Sequence, residues 1–221
     1  MLELGKNKVT CIEFNAELDM PMHVISSISL LDAWKHAIEC IKTEGTRAFD
    51  EDQPILELMD LFLIITDPRP DPLLVDINPD MAAWMHANFT EKAPVAELGN
   101  AESYATRLYD YHGKDQVATI IKKLKDKTET KSATITMLLP NDDTSYVPCV
   151  SMLDFKIRDE RLTLTATCRS LDFGKKALFN FVELASIGER VQSECKVLGL
   201  ELHIHAISAH VYEQDLESLE A

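Results

Sequence analysis

The sequence contains no Cys-x-x-Cys pair, and its cysteines, at positions 11, 40, 149, 168 and 195, are odd in number and widely spaced. Such spacing suggests neither a zinc ribbon nor a disulfide framework, and it fits a reducing, cytoplasmic setting. No metal is expected. Glycine and proline are few and scattered, 7 and 9 in 221 residues, so no linker, repeat or low-complexity tract divides the chain. Long apolar runs are missing too. The longest, from Ile55 to Ile65, contains Glu57 and Asp60 and is too short and too charged to span a membrane. The opening Met1-Leu2-Glu3-Leu4-Gly5-Lys6 has no basic segment followed by an apolar one, so no secretory leader is expected. Positive charge is also scarce: 22 Lys and Arg face 37 Asp and Glu, a net charge of −15. That field repels a nucleic-acid backbone, which argues against DNA or RNA as partner. A small phosphorylated ligand stays within reach, because a few local arginines can override the global field.

What remains is ordinary globular material. A chain of 221 residues suits a single domain, 1–221, able to bury a core without staples. Val9 to Phe14 and Val24 to Ile28 read as strands. Leu30 to Ile41 carries apolar residues at helical spacing and stops at Glu44-Gly45-Thr46, with Gly45 as C-cap. Pro54 to Ile65 reads as a second, buried helix, followed by the rigid Asp67-Pro68-Arg69-Pro70-Asp71-Pro72 connection. Met81 to Asn88 and Asp115 to Lys125 read as helices, Thr134 to Leu139 as a strand.

From Pro148 onward the pattern sharpens. Cys149, Ser151, Leu153, Phe155 and Ile157 alternate, as do Leu162, Leu164, Ala166 and Cys168, with polar Arg158-Asp159-Glu160-Arg161 between them. This is a β-hairpin. A turn centred between Asp159 and Glu160 puts Cys149 opposite Ser170 with Arg169 one step away, and a one-residue slip changes the partner. Either register gathers a cysteine, an arginine and a serine. A guanidinium beside a thiol favours thiolate, the nucleophilic form, and Arg with Ser suits a phosphate oxyanion. A small buried cysteine is the alternative. Leu178 to Leu198 reads as a long buried helix spanning 175–198. Leu200 to Tyr212 reads as a last strand, with His210 and Tyr212 on one face and His203 and His205 on the other. The acidic tail from Glu213 reads as helical or frayed.

Four separated signals then align. Pro148-Cys149, Cys168-Arg169-Ser170-Leu171-Asp172, Leu178-Phe179-Asn180 and His210-Val211-Tyr212 resemble the Pro-Cys, Gln-Arg-Ser-x-Asp, Pro-Phe-Asn and His-x-Tyr motifs of the thymidylate synthase family. The intervals of 20, 11 and 30 residues between Cys149, Arg169, Asn180 and His210 agree with it. The resemblance spans roughly residues 115–215 and is closest to the archaeal branch.

It implies an α/β (α+β) fold, one mixed β-sheet packed against helices, and a homodimer joined through the sheets. It also implies dUMP and a reduced methylene-tetrahydropterin, of folate or methanopterin type, as substrates, with reductive methylation to dTMP as the reaction. Cys149 would attack C6 of the pyrimidine, and Arg169 and Ser170 would hold the phosphate. Asp172 would sit between pyrimidine and pterin, and His210 and Tyr212 would meet the sugar 3′-hydroxyl. Asn180 would bond O4 and N3–H, since an amide offers both a donor and an acceptor. The hydroxymethylases that act on cytosine nucleotides carry Asp there.

Glu57 reads either as the family glutamate that orders water or as a helix-surface carboxylate. Tyr104 matches the family tyrosine near the nucleophile, with Tyr109 and Tyr111 competing. Lys131-Ser132 stands where the family has two arginines that reach the partner's phosphate. Arg47 reads as a solvated loop arginine, with a phosphate contact as the alternative. Val150 replaces the usual histidine, and the chain ends nine residues after Tyr212, short of the segment that closes over folate. A hydroxymethylase on the same scaffold and a nucleotide-binding protein without turnover are the rival readings. His203-x-His205 lacks an evident third ligand and reads as two structural histidines.

Overall fold

Ten strands and five α-helices, joined by short 3₁₀ turns, make up the computed structural model, which describes residues 22–144 and 146–219. The strand expected at Val9 to Phe14 lies outside them. In chain order the elements are β1 (His23–Ser27), α1 (Leu30–Glu44), β2 (Thr46–Asp50), β3 (Gln53–Ile65), α2 (Pro79–Thr90), β4 (Pro94–Val95) and β5 (Ala101–Glu102). Then follow α3 (Tyr104–Tyr109), α4 (Gln116–Asp126), β6 (Thr134–Thr136), β7 (Val150–Arg158), β8 (Arg161–Cys168), β9 (Leu171–Asp172), α5 (Ala177–Cys195) and β10 (Gly199–Tyr212).

The helices start where their caps dictate. Ser29 Oγ accepts from the Asp32 N–H, Asn78 Oδ1 from Met81 ahead of Pro79, and Asp115 Oδ1 from Ala118. At the end of α1, Gly45 donates its N–H to Ile41 O at 2.9 Å, but with φ −65° it is not left-handed. Glycine is required there for another reason: a Cβ would sit 2.3 Å from the Ile41 carbonyl oxygen.

One mixed sheet runs β1-β3-β10-β8-β7-β6, with β2 also on β3 and β9 on β10; β4 and β5 form a separate small ladder. β1 is parallel to β3 and β10 to β8, and the other neighbours along the path are antiparallel. The helices pack on this sheet. α5 touches α1, α2, α4, β8 and β10. Gly188 lets it approach: a Cβ would meet both Leu200 methyls at 3.0 Å.

The hairpin is present, with Arg158 paired to Arg161 and both turn residues, Asp159 and Glu160, at positive φ, as a two-residue primed turn demands. The expected helix over Pro54 to Ile65 is instead β3, the strand between β1 and β10. The cause is a break in alternation at Asp60, held at φ 54°. Leu61, Leu63 and Ile65 are buried in one phase and Leu58 in the other. The resulting 55, 58, 61, 65 spacing imitates a helical stripe.

Neighbouring strands break at the same level. Each takes a three-residue step between buried residues there: Leu58 to Leu61 in β3, which also steps by three from Ile55, Ala206 to Ala209 in β10, Cys168 to Leu171 from β8 to β9, and Val150 to Leu153 in β7. In β3 and β10 the interruptions match, since Leu61 pairs with Ala206 and Met59 with Ser208 in one register. In β7 an extra residue shifts the pairing between Val150 and Met152, a bulge.

One buried ion pair ties the chain before β7 to the helices. Arg107, 1% exposed on its side chain, donates to Asp143 through both terminal nitrogens, at 3.0 and 2.6 Å, and to the Glu102 and Met137 carbonyls. Burial works against the Asp143 charge, but the hydrogen bonds from Arg107 and the Leu139 N–H, with the Arg107 charge, hold its carboxyl below the usual range. Asp143→Asn is therefore expected to cost about 3–5 kcal/mol in urea denaturation, because it strands a buried guanidinium. A depressed carboxyl stabilises the fold above its unfolded pKa of about 3.9 and loses that contribution as pH falls through the folded value. The variant should lack this acid-sensitive increment.

Candidate active site

The sheet opens into a cavity of about 340 Å³ walled by strand ends, α2, α3 and α5. The strand-borne residues lining it lie at or past the row of interruptions: Phe49 and Asp50 on β2, Ile55 and Glu57 on β3, Ser208, His210 and Tyr212 on β10, and Leu171 and Asp172 on β9, with Cys149, Arg169 and Ser170 just beyond the open end of the hairpin.

Cys149 faces Arg169, not Ser170. The Arg169 N–H donates to the Cys149 carbonyl at 2.9 Å, because the bulge in β7 consumes one residue of register. The slip leaves the Ser170 hydroxyl free to donate to Cys149 Sγ at 3.7 Å, and the Tyr146 hydroxyl lies 3.8 Å from the same sulfur. The half-buried Cys149 thus has its sulfur at the cavity, whereas Cys40 and Cys168 are buried. Arg169 is braced rather than loose. Its Nε and Nη2 donate to the Val147 carbonyl at 3.0 and 2.6 Å, and Nη1 to Ser170 Oγ at 3.1 Å.

Of the three competing tyrosines, Tyr104 is the one at the cavity. Its hydroxyl accepts the Val150 N–H at 3.0 Å, next to the cysteine. Burial, with the neighbouring Cys149 and Tyr146, pushes its phenol well above the ordinary value. Tyr109 lies under the Arg190 guanidinium, and Tyr111 donates to the Leu138 carbonyl.

Glu57 is on a strand, not a helix surface, and accepts from the Ser208 hydroxyl at 2.5 Å. Asp172 accepts the Gly174 and Lys175 N–H groups at the turn into α5. Burial raises its carboxyl, opposed by His210 and Lys176, and burial likewise lowers His210. His210 Nδ1 and Asn180 Oδ1 are both buried without a hydrogen-bond partner, while Asn180 Nδ2 donates to the Lys176 carbonyl. Buried polar atoms left unpaired are costly, and here two face one cavity that a ligand can enter.

Tyr146 and Lys176 line the cavity although the sequence did not single them out, Trp84 forms part of its wall as its apolar bulk suggests, and Asp50, which reads as solvated surface in Asp50-Glu51-Asp52, turns out to line it. Tyr146 is only three residues before the cysteine, a proximity that could have flagged it. Lys176 stacks over the Trp84 ring at 5.6 Å, a second cation for the cavity. Asp50 accepts from the Tyr212 hydroxyl at 2.5 Å, which joins the β2–β3 tip to β10. Arg47, which reads as a solvated arginine, and Lys131, which the resemblance assigns to the partner's phosphate, both lie outside this cavity. Arg47 is ion-paired with Glu213 at 2.8 Å, and Lys131 is exposed on the loop between α4 and β6, away from this chain's cavity. His203 and His205 each meet a carboxylate, Glu201 at 3.5 Å and Asp60 at 3.1 Å.

A family model described as thymidylate synthase matches residues 72–221. The chain is similar to a protein of Methanococcoides burtonii named "Putative thymidylate synthase", at 32% identity over 206 residues, covering 89% of this chain and 93% of that protein. A protein of the same name from Methanosarcina barkeri gives the same figures. Its namesake from Methanothermobacter thermautotrophicus is 32% identical over 208 residues, 86% of this chain and 94% of its own.

Tyr104→Phe leaves the buried Val150 N–H without its acceptor. The expected cost is about 1–3 kcal/mol by urea denaturation. An unchanged unfolding midpoint would show that this hydrogen bond does not hold the cysteine segment.

Proposed function

The chain belongs to the thymidylate synthase family, and we propose that it catalyses reductive methylation of dUMP to dTMP with a reduced methylene-tetrahydropterin. The observation that carries the proposal is the meeting, in one cavity, of the Cys149 thiol with the unpartnered Asn180 Oδ1 and His210 Nδ1. Asn180 can accept from N3–H and donate from Nδ2 to O4, the pattern of uracil and not of cytosine. That contact would give the orphaned oxygen its missing partner.

In this reading Cys149 Sγ adds to C6 of the uracil ring, and the electron pair moves to C5. The pterin would supply the one-carbon unit that C5 takes up. C5 would then lose its proton to a base in the cavity, with the Tyr104 hydroxyl beside the reacting carbon, which breaks the carbon–pterin bond, releases the pterin and leaves an exocyclic methylene. Hydride from the pterin to that methylene would complete the methyl group, restore the C5–C6 double bond and expel Sγ. Glu57, tied to Ser208, would order water at the base edge. Arg169 and Ser170 would bind the phosphate, with Lys176 as an added cation, and His210 and Tyr212 the 3′-hydroxyl. Asp172, held partly against ionisation by burial, suits a place between uracil and pterin, where it can donate as well as accept.

The carrier is of folate or methanopterin type. The enzyme would be a methyltransferase acting as one catalytic domain over 1–221, in the cytoplasm, without nucleic-acid or membrane partners. Among the described residues no helix is long and apolar enough to cross a membrane. A homodimer joined through the sheets is supported by exposed apolar side chains on its strands, Met59, Met152 and Ile207. In it Lys131 would serve the partner's phosphate site.

Intact-protein mass spectrometry after incubation with 5-fluoro-dUMP and each methylene-pterin should reveal a ternary covalent adduct that Cys149→Ala lacks. Nucleotide binding without an adduct from either pterin would overturn the proposal in favour of a binding protein. Asn180→Asp removes the donor to O4 and should weaken dUMP binding about 10–100-fold, or about 1.4 kcal/mol per tenfold, by calorimetry. An unchanged affinity would remove Asn180 from base recognition.

A further inference from the structure

Away from the cavity, the start of β1 and the last turns of α1 bring together three side chains of different chemistry. Among the described residues one group of histidine, cysteine and acidic side chains, His23, Cys40 and Glu44, has its donor atoms all within 4.8 Å of one another. His23 Nδ1 lies 3.2 Å from Glu44 Oε2 and 4.0 Å from Cys40 Sγ, and Sγ lies 3.7 Å from Glu44 Oε1. Cys40 and Glu44 are one helical turn apart and share a face of α1, so the helix alone fixes two of the three.

The arrangement is a triangle, not a chain. A cysteine–histidine–carboxylate relay uses both ring nitrogens, one for the thiol and one for the acid. Here the same nitrogen, Nδ1, faces both neighbours. Glu44 closes the triangle with its two oxygens, Oε2 toward His23 and Oε1 toward Cys40, and one donor atom from each residue lies within 4.8 Å of the other two. Tetrahedral zinc with bonds of about 2.0–2.3 Å holds its nitrogen, sulfur and oxygen ligands roughly 3.3–3.7 Å apart, so binding draws the Nδ1–Sγ pair in by a few tenths of an ångström from 4.0 Å. The burial fits as well. Cys40 is 6% exposed and the His23 side chain 10%, whereas the Glu44 side chain is 43% exposed and leaves an approach from solvent.

We infer that His23, Cys40 and Glu44 form a binding site for a zinc-class divalent cation. Thiolate with imidazole selects such an ion over magnesium or calcium, and water fills the fourth position. Binding forms a metal–sulfur bond and releases the Cys40 thiol proton to solvent, one proton per ion. None of the three lines the cavity at Cys149, so the ion takes no part in the proposed methyl transfer. It would pin the edge strand β1 to α1.

The full-length chain, stripped with a chelator and titrated with cobalt(II), tests this. The expected result is one ion per chain, a thiolate-to-cobalt charge-transfer band in the near ultraviolet, release of one proton, and displacement of the cobalt by zinc. Cys40→Ser should abolish the band. Glu44→Gln, at a half-exposed position and nearly isosteric, should weaken cobalt binding more than about 10-fold, the least that a ligand-shell partner is worth, with a circular dichroism spectrum like that of the unmodified chain. Absence of the band in the unmodified chain would overturn the inference. So would a band that persists in Cys40→Ser, or an affinity untouched in Glu44→Gln.

Discussion

The site depends on one constraint in the sheet, the level at which its strands stop alternating. A strand that gains or skips a residue puts every later side chain on the wrong face unless its neighbours answer it. β3 and β10 answer each other at Asp60 and Ile207 without losing register. The ladder between β10 and β8 lapses beside Arg169 and Ser170 and resumes at β9. β7 takes its bulge at Ser151. Past that row the strands frame a hollow, and it holds the cysteine, the braced arginine, the glutamate and the His210–Tyr212 pair.

Burial then sets the chemistry of that hollow. Desolvation raises Asp172 and Tyr104 and lowers His210, so each is biased toward its neutral form. A carboxyl and two neutral donor–acceptors suit the recognition of an uncharged heterocycle. The unpaired Asn180 and His210 atoms are a standing cost of the unliganded state, and a base that meets them recovers it. Rigid support surrounds these groups. The Trp34 indole donates to the Phe173 carbonyl, and the Phe173 N–H to the His210 carbonyl, which couples α1, the turn into α5 and β10.

The acidic surface is compatible with the proposed anionic substrate because the cations are local. Arg169 and Lys176 line the cavity, while Arg47 is neutralised by Glu213 outside it. Global charge keeps polyanions away, and two positioned cations admit a small one.

The sequence alone determined the hairpin, through alternation and a charged two-residue turn. It determined the four family signals, because each is a short stretch whose spacing survives without coordinates, and the existence of helices α1, α2, α4 and α5, although periodicity starts α2 at Met81 where the Asn78 cap starts it at Pro79. Tertiary structure decided the rest. Ile55 to Ile65 reads as a helix in isolation because a break at Asp60 turns a period of two into steps of three and four. Only the facing break in β10 makes it a strand. The partner of Cys149 turned on a bulge whose place is set by the β7–β8 ladder. Tyr104 rather than Tyr109 or Tyr111 meets the cysteine segment because α3 packs against it, a contact 46 residues apart in sequence. The His23, Cys40 and Glu44 group could not be read from spacing either, since 17 residues separate the histidine from the cysteine and only the packing of α1 on β1 closes the gap. Periodicity is a local signal, whereas register and packing are settled between segments distant in the chain.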